Sequence, residues 1–270
     1  MVNHELSDAA QLSDAAQLSD AAQLWRKEGW VLLDGLVDRA TIDSAVAEIP
    51  NVIPNPTDEP RRSGNSSRDV PEDGPAFRNE QFSGTTLFPF RNSPNLNQLL
   101  FHPRIIDFAE RALESEDLRL YQTRLWSKYS GRVNYEQPLH RDRNHSLVPT
   151  RSESGWSFLE CFLYLTDVDI DTGAPRLVPR SKSVGEPAET QSLLPEDHPQ
   201  MYAAEVTATG SAGSLLAYRS DVWHRGVDLA RPDSERHVLV SAFRLGGHEW
   251  IGYDPHPPLA TNGQFKKVAA

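Results

Sequence analysis

The sequence predicts an α+β protein whose core is an antiparallel β-sandwich or barrel. Helical patterns come first along the chain, and many short strand patterns follow them without helical crossovers. Gly, Pro and Asp turns separate these strand patterns, as is usual between antiparallel strands. With 270 residues, of which 38% are hydrophobic and 24% charged, the chain can form one sizeable core, so we expect a single main domain.

The N-terminal residues repeat the motif LSDAAQ three times, which places leucines six residues apart. Successive leucines then lie about 120° apart around a helix, so they form no continuous stripe and do not predict a coiled coil. We interpret residues 1–18 as a repetitive helical or frayed extension and residues 19–270 as the single domain. The domain begins with a capped helix at Ser19, followed by a strand over residues 30–37 and a helix over residues 40–49.

A long polar segment separates these elements from the rest of the chain. Residues 50–77 are rich in Pro, Gly, Ser and Asn, and a loop of this length is usually either disordered or a functional lid. Helical periodicity then predicts a helix over residues 97–113. Strand patterns follow at residues 118–130, 156–168, 175–181, 203–210, 213–219 and 236–246.

Charge and hydropathy argue against two classes of partner. A net charge of −11 with scattered basic residues makes nucleic acid an unfavourable partner. No apolar run approaches the roughly 18 residues of a membrane helix, and the polar N-terminus lacks the layout of a signal peptide. We therefore expect a soluble, cytoplasmic protein. Cys161, the lone cysteine, is expected to be a small buried strand residue, and no feature indicates an oligomeric state.

The cluster PLHRDRNH at residues 138–145 places a histidine and an aspartate two positions apart. His-Arg-Asp also begins the catalytic loop of protein kinases, but Leu147 stands where that loop has Asn, and the phosphate-binding motifs are missing. On a strand, His140 and Asp142 would face the same side and could bind one metal ion. His224, at the end of a later apolar strand, would complete the facial triad of non-haem Fe(II) oxygenases. An ordinary charged loop is the remaining alternative.

The order His140-x-Asp142, His224, Arg236 resembles the phytanoyl-CoA dioxygenase family of Fe(II)- and 2-oxoglutarate-dependent oxygenases. The segment YLTDVDIDTGAPRLVPRSKS and the start AQLWRKEGWVLLDGLV are similar to further parts of that family. The combination of ordered motifs is more specific than any one of them.

The resemblance covers residues 19–248 and implies a fold for the domain. The expected fold is a double-stranded β-helix, that is a jelly-roll or cupin-like barrel, with flanking N-terminal helices. Residues 19–270 would then form a single oxygenase domain. The sequence departs from the family at one turn, where the usual Pro-Gly-Ser-His is replaced by the residues at 179–182, PRSK. This departure concerns the geometry of the turn rather than the metal ligands.

The resemblance also implies the cofactors and the reaction. His140, Asp142 and His224 would bind Fe(II), and Arg236 would bind the far carboxylate of the cosubstrate 2-oxoglutarate, since a guanidinium can bind a carboxylate in bidentate fashion. With O2 as the oxidant, the enzyme would hydroxylate a small-molecule metabolite and release succinate and CO2. Related halogenases carry a small residue at the position of Asp142, so a carboxylate there favours hydroxylation.

Further candidate residues come from a strand and from positions beside the ligands. The strand YQTRLWSK is similar to the corresponding strand of ectoine hydroxylase, which implies cofactor binding by Gln122 and Lys128 and substrate binding by Arg124. A solvent-facing polar edge is the alternative. Three other residues are candidates for substrate binding: Asn144, His145 and Arg225. The last of them could instead pair with an acid, and an arginine in the pocket would suit a substrate with a carboxylate.

A binding protein from a different class remains an alternative to the enzyme. A cupin-like β-barrel could hold a metal or a small ligand without turnover. Arg236, in register with His224, separates the two possibilities, because a simple metal-binding barrel does not require it.

Overall fold

The computed structural model describes residues 2–52, 88–130, 136–142, 151–152, 155–156, 158–183 and 192–246. Within these residues, two antiparallel sheets enclose an apolar interior, and helices cover the outer face of one of them. This arrangement confirms the predicted α+β class with an antiparallel β core.

The first sheet, called here the long-strand sheet, has five strands in the spatial order β1 (Trp30–Leu33), β10 (Leu215–Tyr218), β6 (Phe158–Tyr164), β12 (Glu235–Leu245) and β2 (Leu118–Tyr129). The second, the short-strand sheet, has the order β8 (Ser192–Leu193), β3 (Leu139–His140), β11 (His224–Arg225), β7 (Arg176–Leu177) and β9 (Val206–Thr207). A separate pair joins β4 (Arg151–Ser152) to β5 (Gly155–Trp156). All strand pairs in these sheets are antiparallel.

The described helices are α1 (Val2–Glu28), α2 (Arg39–Val46), α3 (Ile49–Val52), α4 (Pro94–Leu99), α5 (Pro103–Leu113) and α6 (Pro199–Ala203), with a 3-10 turn at Arg180–Lys182. The expected start of a helix at Ser19 is wrong, because α1 runs without a break through the LSDAAQ repeats. The hydroxyl of Ser19 does not cap a helix but accepts a hydrogen bond of 2.8 Å from Arg111 on α5.

The predicted helix over residues 97–113 is two helices in the structure. His102, between α4 and α5, has the extended ψ of 130°, and Pro103 begins α5. A proline has no N–H to donate and disfavours a helical conformation at the residue before it, so it separates the two helices. The apolar positions that suggested one helix are buried on both of them.

The long-strand sheet has two apolar faces because its side chains alternate between them. Leu125, Cys161 and Leu239 point outward and pack with the helices, where Trp25 and Phe108 are fully buried. Burial of a large apolar side chain contributes about 1.5–3 kcal/mol, so this layer holds the helices on the sheet. Cys161 is buried as expected, and burial raises the pKa of its thiol.

The opposite face of the same sheet lines the interior between the two sheets. Phe162, Tyr164, Leu216 and Val238 form an apolar cluster there with Leu177 of the short-strand sheet. The predicted loop over residues 50–77 lies outside the described residues except for 50–52, which belong to α3. No helix in the described part of the chain is both long enough and apolar enough to cross a membrane.

Candidate metal centre

Three side chains predicted as metal ligands converge on one point inside the barrel. The strands β3 and β11 are neighbours, and His224 pairs directly with His140. Asp142 Oδ2 lies 3.2 Å from His224 Nε2, and Asp142 Oδ1 lies 3.7 Å from His140 Nε2. One ligand atom from each residue lies within 4.8 Å of the other two. The structure therefore brings together the residues that the sequence placed 82 positions apart.

Backbone contacts orient all three side chains. His140 Nδ1 lies 3.0 Å from the carbonyl oxygen of Pro138, and His224 Nδ1 lies 2.9 Å from that of Val222. Donation from each Nδ1–H leaves the lone pair of Nε2 free to bind a metal, as is usual for histidine ligands. The backbone N–H of Asp142 donates to the carbonyl of Ser220 at 3.0 Å, which holds this residue beside β11.

The donor set fits a single divalent transition metal. Two imidazole nitrogens and one carboxylate oxygen are the ligands of the facial triad that leaves coordination positions open for other molecules. Burial lowers the pKa of His224, but the charge of Asp142 and its hydrogen bond outweigh this effect and raise the pKa above its ordinary value. A metal ion would compete with a proton for Nε2 of His224, so metal binding should weaken as the pH falls.

Tyr218 supports the triad from β10 and was not identified from the sequence. Its ring lies against that of His224, with centroids 4.5 Å apart, and its hydroxyl donates to Asp142 Oδ2 at 3.4 Å. Burial, followed by the neighbouring acids Glu160 and Asp142, raises the pKa of Tyr218 well above its usual value, so the hydroxyl keeps its proton. The only sequence signal was its place in an apolar strand, where a hydroxyl needs a partner.

We expect Tyr218→Phe to weaken metal binding by about tenfold, because a hydrogen-bond partner of a metal ligand typically contributes that much to affinity. Titration with Co(II), followed by its visible absorption, measures this change. Tyr164→Phe is the matched control, since Tyr164 faces the same interior but donates to the carbonyl of Ala208 at 2.8 Å. Equal affinities in the two variants would contradict a supporting role for Tyr218.

Glu160 is a second buried acid near the triad and was also missed. It lies on β6, where it pairs across the sheet with Tyr218 on one side and Ala242 on the other. Burial and then the charge of Asp142 raise the pKa of Glu160 to about 7, while Arg124 and His224 act in the opposite direction. Its signal in the sequence is that it is the one charged residue in the apolar run FLECFLYL.

Arg236 and Lys128 form a pair of buried cations on the same inner face. They are direct cross-strand partners on β12 and β2. Arg236 donates to the carbonyl of Gly173, and Lys128 Nζ donates to that of Val227 at 2.8 Å. Burial and then the charge of Arg236 lower the pKa of Lys128 well below its ordinary value. The pair forms a site of positive charge suited to an anionic group.

The other residues predicted on β2 also face the interior. Gln122, Arg124 and Trp126 are half-buried, and the side chains between them are buried on the outer face, so the strand alternates as expected. The guanidinium of Arg124 lies over the ring of Trp126, 5.5 Å from its centroid. Binding roles for Gln122 and Arg124 stay predictions. Asn144 and His145 lie outside the described residues.

Arg225 does not join these residues. It follows His224 directly, so its side chain points to the opposite face of the short-strand sheet. There it binds Glu205, with Nε 2.6 Å from Oε1, and also pairs with Glu136. The structure thus shows Arg225 paired with two acids, as in the alternative that the sequence left open, and its role in substrate binding stays a prediction.

We expect Arg225→Met to lower the free energy of unfolding by about 1–3 kcal/mol, because the buried carboxylate of Glu205 loses its closest partner and keeps only Arg176, whose Nη1 lies 3.3 Å from Oε2. Thermal unfolding measures this loss, and the Co(II) affinity should change little. Arg39→Met is the control, since Arg39 is exposed and its ion pairs contribute about 0–1 kcal/mol. Normal stability with altered ligand binding would instead support the predicted substrate role of Arg225.

The fold and the triad define a class of proteins in which a metal is held by two histidines and one aspartate inside an antiparallel β-barrel. A family model described as phytanoyl-CoA dioxygenase (PhyH) matches residues 25–228 of the chain. The chain belongs to this family, which confirms the resemblance found in the sequence. No curated protein sequence matches the chain.

Solved structures with the same fold are similar over most of the chain. The epimerase SnoN, in complex with Fe3+, alpha-ketoglutarate and nogalamycin RO, has a TM-score of 0.61 and 17% identity over 88% of this chain and 87% of its own. The carbocyclase SnoK from nogalamycin biosynthesis has a TM-score of 0.59 and 18% identity over 89% and 88%. HygX from Streptomyces hygroscopicus, with nickel and 2-oxoglutarate bound, has a TM-score of 0.59 and 14% identity over 86% and 89%.

These similarities confirm the predicted double-stranded β-helix fold. The family match and the cluster of His140, Asp142 and His224 agree with the predicted non-haem metal site. The similar structures include enzymes that epimerise or cyclise their substrates, so the reaction type is not fixed by the fold.

Proposed function

We propose that this chain is an Fe(II)- and 2-oxoglutarate-dependent dioxygenase that hydroxylates a small-molecule metabolite, consumes O2 and releases succinate and CO2. The observation that carries the proposal is the convergence of His140, Asp142 and His224 in a barrel that also contains the buried cations Arg236 and Lys128. A cytoplasmic location stays a prediction from the sequence.

The three ligands have distinct tasks in this proposal. His140 and His224 would bind Fe(II) through Nε2, since their Nδ1 atoms face backbone carbonyls. Asp142 would supply the one anionic ligand, oriented by Tyr218. Bound Fe(II), together with 2-oxoglutarate and O2, supplies the oxidising chemistry. The buried rings of Phe162 and Tyr218, whose centroids are 5.1 Å apart, lie on the His224 side of the site and would limit the access of water there.

Arg236 and Lys128 would bind the far carboxylate of 2-oxoglutarate. A guanidinium offers two parallel donors to a carboxylate, and a nearby ammonium adds charge. A bound carboxylate would also raise the low pKa of Lys128, because it would bring an opposite charge next to the two cations. Gln122 is the further proposed cosubstrate residue, and Arg124 is the proposed substrate residue.

Product analysis tests the proposal most fully. The enzyme is incubated with Fe(II), 2-oxoglutarate, O2 and a panel of candidate metabolites, and succinate release is measured together with product mass. We expect substrate-stimulated succinate and a product that has gained one oxygen atom. Loss of two hydrogens would indicate desaturation or ring closure, and an unchanged mass with altered stereochemistry would indicate epimerisation. Absence of succinate under all conditions would favour the non-catalytic binding barrel.

A further inference from the structure

Glu160 and Arg124 form a charged pair inside the barrel that the metal centre does not use. Glu160 lies on β6 and Arg124 on β2, with β12 between the two strands. Arg124 Nη1 is 3.9 Å from Glu160 Oε1, which is an ion-pair distance but too long for a hydrogen bond. The two side chains therefore compensate each other's charge without direct contact.

The carboxylate of Glu160 has an unusual setting for a buried acid. Its side chain is 8% exposed, and among the described residues no group donates a hydrogen bond to it. Burial of a carboxylate is costly unless donors satisfy its oxygens, and buried polar groups are in the great majority hydrogen-bonded. An acid kept in this state inside a binding cavity is well placed to accept a hydrogen bond from a ligand.

The surroundings of the pair combine an apolar wall with access from the interior. Trp126 and Phe162 stand edge to face, 5.1 Å apart, on the same inner face. Arg124 is 22% exposed in its side chain and lies on the inner face of β2, whereas its neighbours on the outer face are buried. A ligand here would meet aromatic rings and one carboxylate with a guanidinium beside it.

We propose that Glu160 and Arg124 form a polar subsite that binds a hydrogen-bond donor of the substrate, an amine or a hydroxyl group on an otherwise apolar molecule. This inference rests on the proposed function, because it assigns the substrate class of the same site. Glu160 repels an incoming carboxylate and compensates the charge of Arg124, so the pair opposes the acidic substrate that an arginine alone would suggest.

Three probes with one carbon skeleton test the subsite: 3-phenylpropylamine, 3-phenylpropan-1-ol and 3-phenylpropanoate. Each is titrated by calorimetry at about pH 8.5, where Glu160, with its pKa of about 7, is mostly ionised, without O2, into the protein supplied with Fe(II) and 2-oxoglutarate. We expect the amine to bind about tenfold more tightly than the carboxylate, with the alcohol between them, because a charge-assisted hydrogen bond contributes about that factor.

Two variants separate the contributions of the pair. Glu160→Gln keeps the shape but removes the charge, so amine affinity should fall by about tenfold and carboxylate affinity should rise, since Arg124 is then uncompensated. The double variant Glu160→Gln, Arg124→Gln should lose the preference between amine and carboxylate. Thermal unfolding verifies that both variants fold.

A wild-type preference for the carboxylate would overturn the proposal, as would an unchanged preference in Glu160→Gln. Failure of the amine to bind at about 10 mM would overturn it as well, because an accessible buried carboxylate predicts at least millimolar binding. The visible band of the iron complex is recorded before each titration. Absence of this band counts against the proposed function. The probe titrations are run whether or not the band appears, and their results bear only on the proposed subsite of Glu160 and Arg124.

Discussion

Asp142→Ala is expected to reduce metal affinity by more than about 100-fold and to abolish succinate production. The reason is that Asp142 is the one anionic group of the triad and contacts both histidines. Removal of outer partners of metal ligands already costs about 10- to 100-fold in affinity, so removal of a ligand should cost more. Metal content after dialysis against Fe(II) or Co(II), together with succinate release, measures the effect.

The control for this variant is Asp171→Ala. Asp171 is exposed and lies 3.9 Å from Arg231, so the same chemical change at that position should leave metal binding and turnover unchanged. Retention of a full equivalent of metal by Asp142→Ala would mean that other groups hold the ion, and the assignment of the triad would fail.

Arg236→Leu is expected to raise the KM for 2-oxoglutarate by about 10- to 100-fold, because hydrogen bonds to a charged group contribute about 1.5–3 kcal/mol. Arg236 is buried and lies beside Lys128 on the neighbouring strand, where a charge-assisted hydrogen bond to the cosubstrate would be shielded from solvent. Arg236→Lys should raise the KM for 2-oxoglutarate by a smaller factor, since lysine keeps the positive charge but lacks the planar pair of donors. Initial rates of succinate release across cosubstrate concentrations give these values.

Arg231→Gln provides the comparison for Arg236→Leu. Arg231 precedes the same strand but is half-exposed and pairs with Asp169 on the surface. Its substitution should leave the KM for 2-oxoglutarate unchanged. An unchanged KM in Arg236→Leu, with normal metal content, would show that another group anchors the cosubstrate.

The metal triad could be predicted because several ordered motifs of the sequence agree. His140 and Asp142 stand two positions apart and His224 ends an apolar strand, but this spacing alone left a charged loop possible, and the resemblance to the family was needed to favour a metal site. The direct pairing of His224 with His140 was not predictable in the same way, because β3 and β11 are two residues long and show no periodicity. Their register is set by the surrounding sheet.

Tyr218 and Glu160 show why part of the site was missed. Each of these residues lies in an apolar strand, where the sequence gives no sign of a functional site. Only the pairing of β10 with β6 places the two side chains side by side on the face of the sheet that is turned toward the triad. Lys128 was found through its strand, but its contact with the loop carbonyl of Val227 depends on a residue 99 positions away. Long-range pairing of this kind leaves no periodic signal in a single sequence.

The separation of α4 from α5 has a local cause that could have been recognised. Pro103 follows the apolar positions of α4, and a proline at a first helical position is a frequent start signal. The helical periodicity of apolar residues continues across Pro103, because α4 and α5 both bury apolar side chains. Periodicity alone therefore did not reveal the boundary. In α1, by contrast, the sequence predicted that a capped helix begins at Ser19. The Ala, Gln and Leu residues of the repeats favour a helix, and they extend α1 on the N-terminal side of Ser19.

Anaerobic absorption spectroscopy tests the central claim most directly. Addition of Fe(II) and then 2-oxoglutarate to the metal-free protein should produce a visible charge-transfer band in the wild type and none in Asp142→Ala. A colourless wild-type mixture, or a band of equal strength in Asp142→Ala, would contradict the assignment of His140, Asp142 and His224 as the iron ligands.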